Sequence, residues 1–181
     1  ASTTSHEDVR DERIVWGRES ERIELRDGRW IDAPPEEWII HTPEKRFAIS
    51  WHKLLLPEGD HKNAVRRWIA HLLRSKSPTV ASGGYNQALA LFNSPAFIQA
   101  ATDCETVPYL AFSQAQAQLA ADQRWQLHYA RDFYRWCVAQ RFPYFSQHVA
   151  EQLDAVVIGG NIKGATVRSA DPEQGPLDSM E

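Results

Sequence analysis

The stretch from Asp122 to Arg141, DQRWQLHYARDFYRWCVAQR, constrains the fold more than any other. On a helical wheel, Trp125, Tyr129, Phe133, Trp136 and Cys137 fall on one broad face. Arg124, His128, Arg131 and Arg135 form a narrow stripe on the other. Asp122 is placed to cap the helix and Pro143 to stop it. A helix this aromatic on one side must pack against other helices. Its basic stripe reads either as the solvated face of a core helix or as a face turned toward something anionic.

Other helices are written into the chain by periodicity and caps. Residues 61–74, HKNAVRRWIAHLLR, carry Val65, Trp68, Ile69, Leu72 and Leu73 at helical spacing. Asp60 offers a cap, while Lys62, Arg66, Arg67, Arg74 and then Lys76 lie outside the apolar face or just beyond it. Ser77 before Pro78 predicts a new helix to about Phe92, with Val80, Ala88, Leu91 and Phe92 inward. Gly83-Gly84 inside it costs roughly 1 kcal/mol per Gly relative to Ala. Either that helix starts later, or something approaches its backbone closely there. Ser94-Pro95 starts a short helix to about Ala101, Thr106 to Ala120 reads as another, and a brief one runs from about Ser146 to Leu153.

Upstream, from about Ile14 to Trp51, the period switches to that of short strands. Ile23 and Leu25 alternate with charged residues, Asp27-Gly28 signals a tight turn, and Trp30 and Ile31 follow. Trp38 to Ile40 and Phe47 to Ile49 suggest a second pair joined through Thr42-Pro43-Glu44. Trp16, Trp30, Trp38 and Trp51 are large enough to supply a miniature core. A sheet this small is marginal alone and is expected to lean on the helices.

The net charge of −4 conceals a pattern. Residues 1–60 carry nine Lys+Arg against fourteen Asp+Glu, residues 61–150 nine against four, and residues 151–181 two against six. A cationic helical middle between acidic flanks is the asymmetry expected of a nucleic-acid-binding module. A hydrophobic content of 43%, with seven Trp and seven Phe, excludes a disordered chain. No apolar run approaches the length of a membrane span and no signal peptide opens the sequence. Cys104 and Cys137 make no disulfide framework and suit a cytoplasmic location, with Cys137 a small core residue.

The basic helix, SKSPTV with its following helix, and LHYARDFYRWCVAQRFPYF together resemble the core-binding (SAM-like) domain of tyrosine recombinases, the phage-type integrases. In that family an Arg-x-Phe-Tyr-x-Trp helix, here Arg131, Phe133, Tyr134 and Trp136, closes the bundle. The tail GNIKGATVRSADPEQGPLDSME resembles the crossing into the family's catalytic domain. The resemblance covers roughly residues 61–181; residues 1–60 resemble nothing. It implies half of a clamp around double-stranded DNA, with room for a homo-oligomer on it. The DNA-facing residues it implies are Lys76, Ser77, Thr79 and Tyr85, and Arg124, His128, Arg131 and Arg135; Arg66 and Arg74 of the basic helix are expected to join them. The family's Tyr nucleophile and its Arg, Lys and His partners would lie past Glu181. The chain is therefore expected to be a catalytically inert piece of a longer strand-cleaving and rejoining enzyme. His128-x-x-Arg131 beside Tyr134 imitates the family's active-site pattern at a spacing too short to work.

The expected fold is mainly α: a helical bundle over 61–154, preceded by a small antiparallel β region over 1–60 and followed by a flexible linker over 155–181. The scattered histidines, His41, His52, His61, His71, His128 and His148, form no metal-ligand motif. No Gly-rich phosphate loop is present, and Asp32, Glu36 and Glu37 read as a solvated turn. No cofactor and no small-molecule substrate are expected. Two other readings stay open: a non-enzymatic helical DNA-binding or regulatory module, and a protein-interaction domain working through its tryptophan-rich strands.

Overall fold

The structure, a computed structural model, describes residues 14–17, 21–102 and 127–155. The chain opens with two antiparallel hairpins. Strand β1 (Arg22–Glu24) pairs with β2 (Trp30–Asp32), Ile23 opposite Ile31, and β3 (Glu37–His41) pairs with β4 (Arg46–Ser50), Ile39 opposite Ala48. The first turn closes with the Gly28 amide donating to the Leu25 carbonyl over 2.9 Å. Gly28 sits at φ +92°, a conformation an L side chain adopts only with strain. In the second hairpin the two-residue period shows plainly. Trp38, Ile40, Phe47 and Ile49 point inward and are buried, while Glu37, His41, Arg46 and Ala48 are exposed.

After a short 3-10 turn (Trp51–Lys53) come helices α1 (Asp60–Ser75), α2 (Pro78–Phe92) and α3 (Pro95–Thr102), then α4 (Leu127–Ala139) and α5 (Gln147–Asp154). Their starts follow the predicted chemistry. The Ser77 side chain accepts from the Val80 amide at 3.2 Å with Pro78 in the first turn, and Ser146 accepts from Val149 at 3.2 Å. Ser94 accepts from Phe97 at 3.3 Å. The predicted helix over 106–120, the Asp122 cap and the linker beyond Ala155 lie outside the described residues. The central helix stops at Ala139, short of Pro143: the Phe142 amide bonds the Cys137 carbonyl, the Arg141 amide bonds Val138, and Arg141 takes φ +61°. That is a Schellman end with arginine where glycine is usual.

Gly83-Gly84 stays helical, and a packing reason accounts for one of the pair. A Cβ on Gly84 would lie 3.3 Å from the Tyr129 ring of α4 and 3.5 Å from Leu72 of α1, whereas one on Gly83 would meet nothing within 4 Å. The three helices close on each other through Gly84. Beside that approach, Trp68, Phe92 and Phe133 stack edge-on at centroid distances of 5.4–6.4 Å and 5.0 Å. Each such side chain, fully buried, contributes on the order of 1.5–3 kcal/mol.

The strands and helices share one core, which runs from Ile14 to Leu153. A ladder of rings crosses the expected boundary at residue 60: Trp16 on Trp38 (5.0 Å), Trp38 on Trp51 (4.8 Å), Trp51 on Tyr85 of α2 (4.9 Å). Trp16 Nε1 donates to the Ala33 carbonyl and Trp38 Nε1 to Pro34, both at 2.8 Å. Three expectations need correcting. Val80, expected to point inward from α2, is 43% exposed. Trp30 belongs to no core and is 54% exposed. Trp136, placed with Phe133 on the packing face of its helix, is only half-buried, stacked on His71 at 5.2 Å.

Candidate nucleic-acid interface

The side chains expected to face DNA divide into groups with different surroundings. Arg66 is withdrawn from solvent altogether, with its side chain 1% exposed. Its guanidinium donates to both Glu58 carboxylate oxygens (2.9 and 3.0 Å), to Asn63 (2.7 Å) and to the Pro35 carbonyl (2.8 Å), and it lies 5.5 Å over the Trp51 ring. Lys62, one turn earlier, donates to the Leu54 carbonyl at 3.0 Å and pairs with Glu58 at 3.4 Å. These two cations pin the loop after the strands onto α1. The Arg66 hydrogen bond holds the Glu58 carboxyl below its ordinary range. Assigning Arg66 to DNA is therefore corrected: its guanidinium is buried, and both terminal nitrogens are bonded inside the fold.

Tyr85 is corrected for the same reason. It is 2% exposed, and its hydroxyl donates to the Ser50 carbonyl at 2.8 Å. Burial raises its phenol pKa well above the usual value. Tyr134, beside the imitation active-site pattern, is also fully buried, accepts from the Ser146 amide at 3.0 Å, and is pushed up to about 12, chiefly by burial. A phenol so placed is a poor nucleophile.

The stripe on α4 stays at the surface, but its arginines are used to hold α5. Arg131 donates to the Leu153 carbonyl at 2.9 Å, at the end of α5, and touches His128 Nδ1 at 3.2 Å. Arg135 bonds Asp132 (3.0 Å) and Asp154 (2.6 Å), and the Asp154 hydrogen bond raises its pKa. Burial, with Arg131 adjacent, lowers the His128 pKa. Arg124 lies outside the described residues.

The remaining residues meet at the corner between α1 and α2. Arg74 and Lys76 are exposed, as is Thr79, and Ser77 caps α2. Arg74 reaches Glu24 only at 4.0 Å. The β1–β2 turn is carried to the same corner by the Arg26 amide, which donates to the Leu73 carbonyl at 2.9 Å. Arg26, Arg29, Ser77 and Pro78 line one cavity of about 400 Å³ there, together with Glu44 and with Asp27, which pairs with Arg29 at 2.9 Å. Among the described residues neither Arg26 nor Lys76 has a side-chain ion pair. Arg26 was not singled out from the sequence; it lies in the strand region, and only the contact with Leu73 brings it to the helices.

No group of His, Cys, Asp and Glu among the described residues is arranged to hold a metal ion, and no described helix is long and apolar enough to cross a membrane. No family model matches the chain, and no curated protein or solved structure matches it either.

Proposed function

We propose that this chain is a duplex-DNA-binding module, and that it serves as the DNA-clamping part of a site-specific tyrosine recombinase. The observation that supports this best is the set of cations near the α1–α2 junction that are lightly paired or unpaired among the described residues: Arg74 and Lys76 in the chain leading into α2, and Arg26, which lines a cavity with Ser77 and Pro78. Cations without a close carboxylate are available for phosphates, and the first-turn amides of a helix favour an anion as well. Ser77 and Thr79 add hydroxyls at that end. The likeness of the α1–α2 junction and of α4 to the family's core-binding domain supports the narrower reading. Strand cleavage belongs, in that reading, to a separate domain carrying the family's nucleophilic tyrosine.

The test is duplex binding as a function of salt. The logarithm of affinity falls linearly with the logarithm of salt, by about 0.9 per neutralised phosphate. Arg74→Ala and Lys76→Ala each make that slope shallower by about 1, and weaken all sequences alike. Binding that is absent at low salt, or indifferent to both substitutions, overturns the reading.

A further inference from the structure

Resting on the nucleic-acid reading above, we propose that the groove between the β1–β2 hairpin, the second half of α1 and the end of α4 holds an unpaired base of the bound nucleic acid. The groove has a volume of about 730 Å³, within the range of small-ligand sites, and Arg22, Trp30, Arg67, His71, Arg74 and Trp136 are among its lining residues. Its aromatic planes are at the surface. Trp30 is 54% exposed, with the Arg22 guanidinium 5.7 Å from its ring, and His71 and Trp136 stack at 5.2 Å and 26°.

Its charge is one-sided. The lining carries three guanidiniums against the single carboxylate of Glu24. Two are loosely paired, Arg22 to Asp32 at 3.9 Å and Arg74 to Glu24 at 4.0 Å, while Arg67 is held over the Trp16 ring by the Val15 carbonyl (2.7 and 3.0 Å) and Glu21 (3.4 Å). A ligand suited to exposed rings among weakly neutralised arginines has a π face and a negative charge on the same unit. A nucleotide has both: the base stacks and the phosphate pairs. Arg74 belongs both to this groove and to the corner proposed for the duplex, so the two surfaces are continuous. A strand that leaves the duplex at the corner passes directly into the groove.

The full chain is titrated with a labelled blunt duplex and with the same duplex bearing a three-nucleotide single-stranded overhang. The overhang tightens binding about tenfold, the scale of one base stacked on an aromatic ring. Trp30→Ala abolishes that gain and leaves blunt-duplex affinity unchanged, while Trp30→Phe keeps most of it; circular dichroism checks that both variants fold. An abasic overhang gives no gain. If blunt duplex binds but the overhang adds nothing, or an abasic overhang works equally well, the inference is overturned and the DNA reading stands. If the groove instead takes an acidic, aromatic peptide in a Trp30-dependent way while the overhang adds nothing, the site belongs to a protein partner and the inference falls. If neither DNA binds, both readings fall together.

Discussion

The Tyr85 hydroxyl donates to the Ser50 carbonyl across 2.8 Å, from the middle of α2 to the last residue of β4. It is the polar end of a ring ladder that binds strands to helices by burial and by the α1 guanidiniums of Arg66 and Arg67 over Trp51 and Trp16. Tyr85→Phe leaves that carbonyl without the hydroxyl and costs about 1–2 kcal/mol of stability in a urea titration. DNA affinity and its salt slope stay as in the parent chain. A changed slope with unchanged stability would return Tyr85 to the DNA surface.

The adjacent glycines of α2 respond in opposite senses. Gly83→Ala meets nothing within 4 Å and raises stability by roughly 1 kcal/mol, the helix-propensity difference. Gly84→Ala sets a methyl 3.3 Å from the Tyr129 ring, so displacement of that ring cancels the gain or exceeds it. Comparison of the two denaturation midpoints decides the matter. Equal stabilisation at both positions would mean that α4 does not close on α2 at Gly84.

The Glu58–Arg66 pair is unequal: Arg66 is 1% exposed and Glu58 68%. Arg66→Ala abandons four hydrogen bonds and the ring it covers, and lowers stability by about 3 kcal/mol or more. Glu58→Gln costs less, about 1–2 kcal/mol, because solvent reaches the carboxylate and Arg66 keeps Asn63 and Pro35. Thermal unfolding of both variants at neutral pH reads the difference. Similar small losses would place Arg66 at the surface.

Acidification tests two histidines. His71, desolvated and beside Arg74 and Lys76, and His128, desolvated and beside Arg131, both have folded-state pKa values below the ordinary 6.5. The unfolded chain therefore binds protons first, and stability falls as the pH drops below 6.5 toward the lower folded values. The Glu58 contribution begins to fall only nearer its ordinary 4.5, so the two windows separate. Urea midpoints at about pH 7.5 and 5.5 show the loss, and replacing both histidines by glutamine flattens it. Greater stability at the lower pH would mean that the rings are held charged by carboxylates.

What the chain's residues determine by themselves is what depends on near neighbours. A serine before a proline or an amphipathic run satisfies amides three residues on, so the starts of α2, α3 and α5 are readable at Ser77, Ser94 and Ser146. Alternation of inward Trp38 and Ile40, and a turn that needs Gly28 at positive φ, define the hairpins in the same local way. Whether a cation on a helix meets solvent or a carboxylate is a different kind of question. Arg66 and Arg74 sit two turns apart on α1 and look alike in sequence; one is buried because the loop bearing Glu58 folds over it, the other is left exposed. Arg131 and Arg135 read as a free stripe until the end of α5 returns to them with the Leu153 carbonyl and Asp154. Trp30 reads like its three neighbours, yet it alone stands outside the ring ladder, exposed on β2 with the Arg22 guanidinium 5.7 Å from its ring. Burial and charge pairing are properties of residues distant in the chain, and only the tertiary structure decides them.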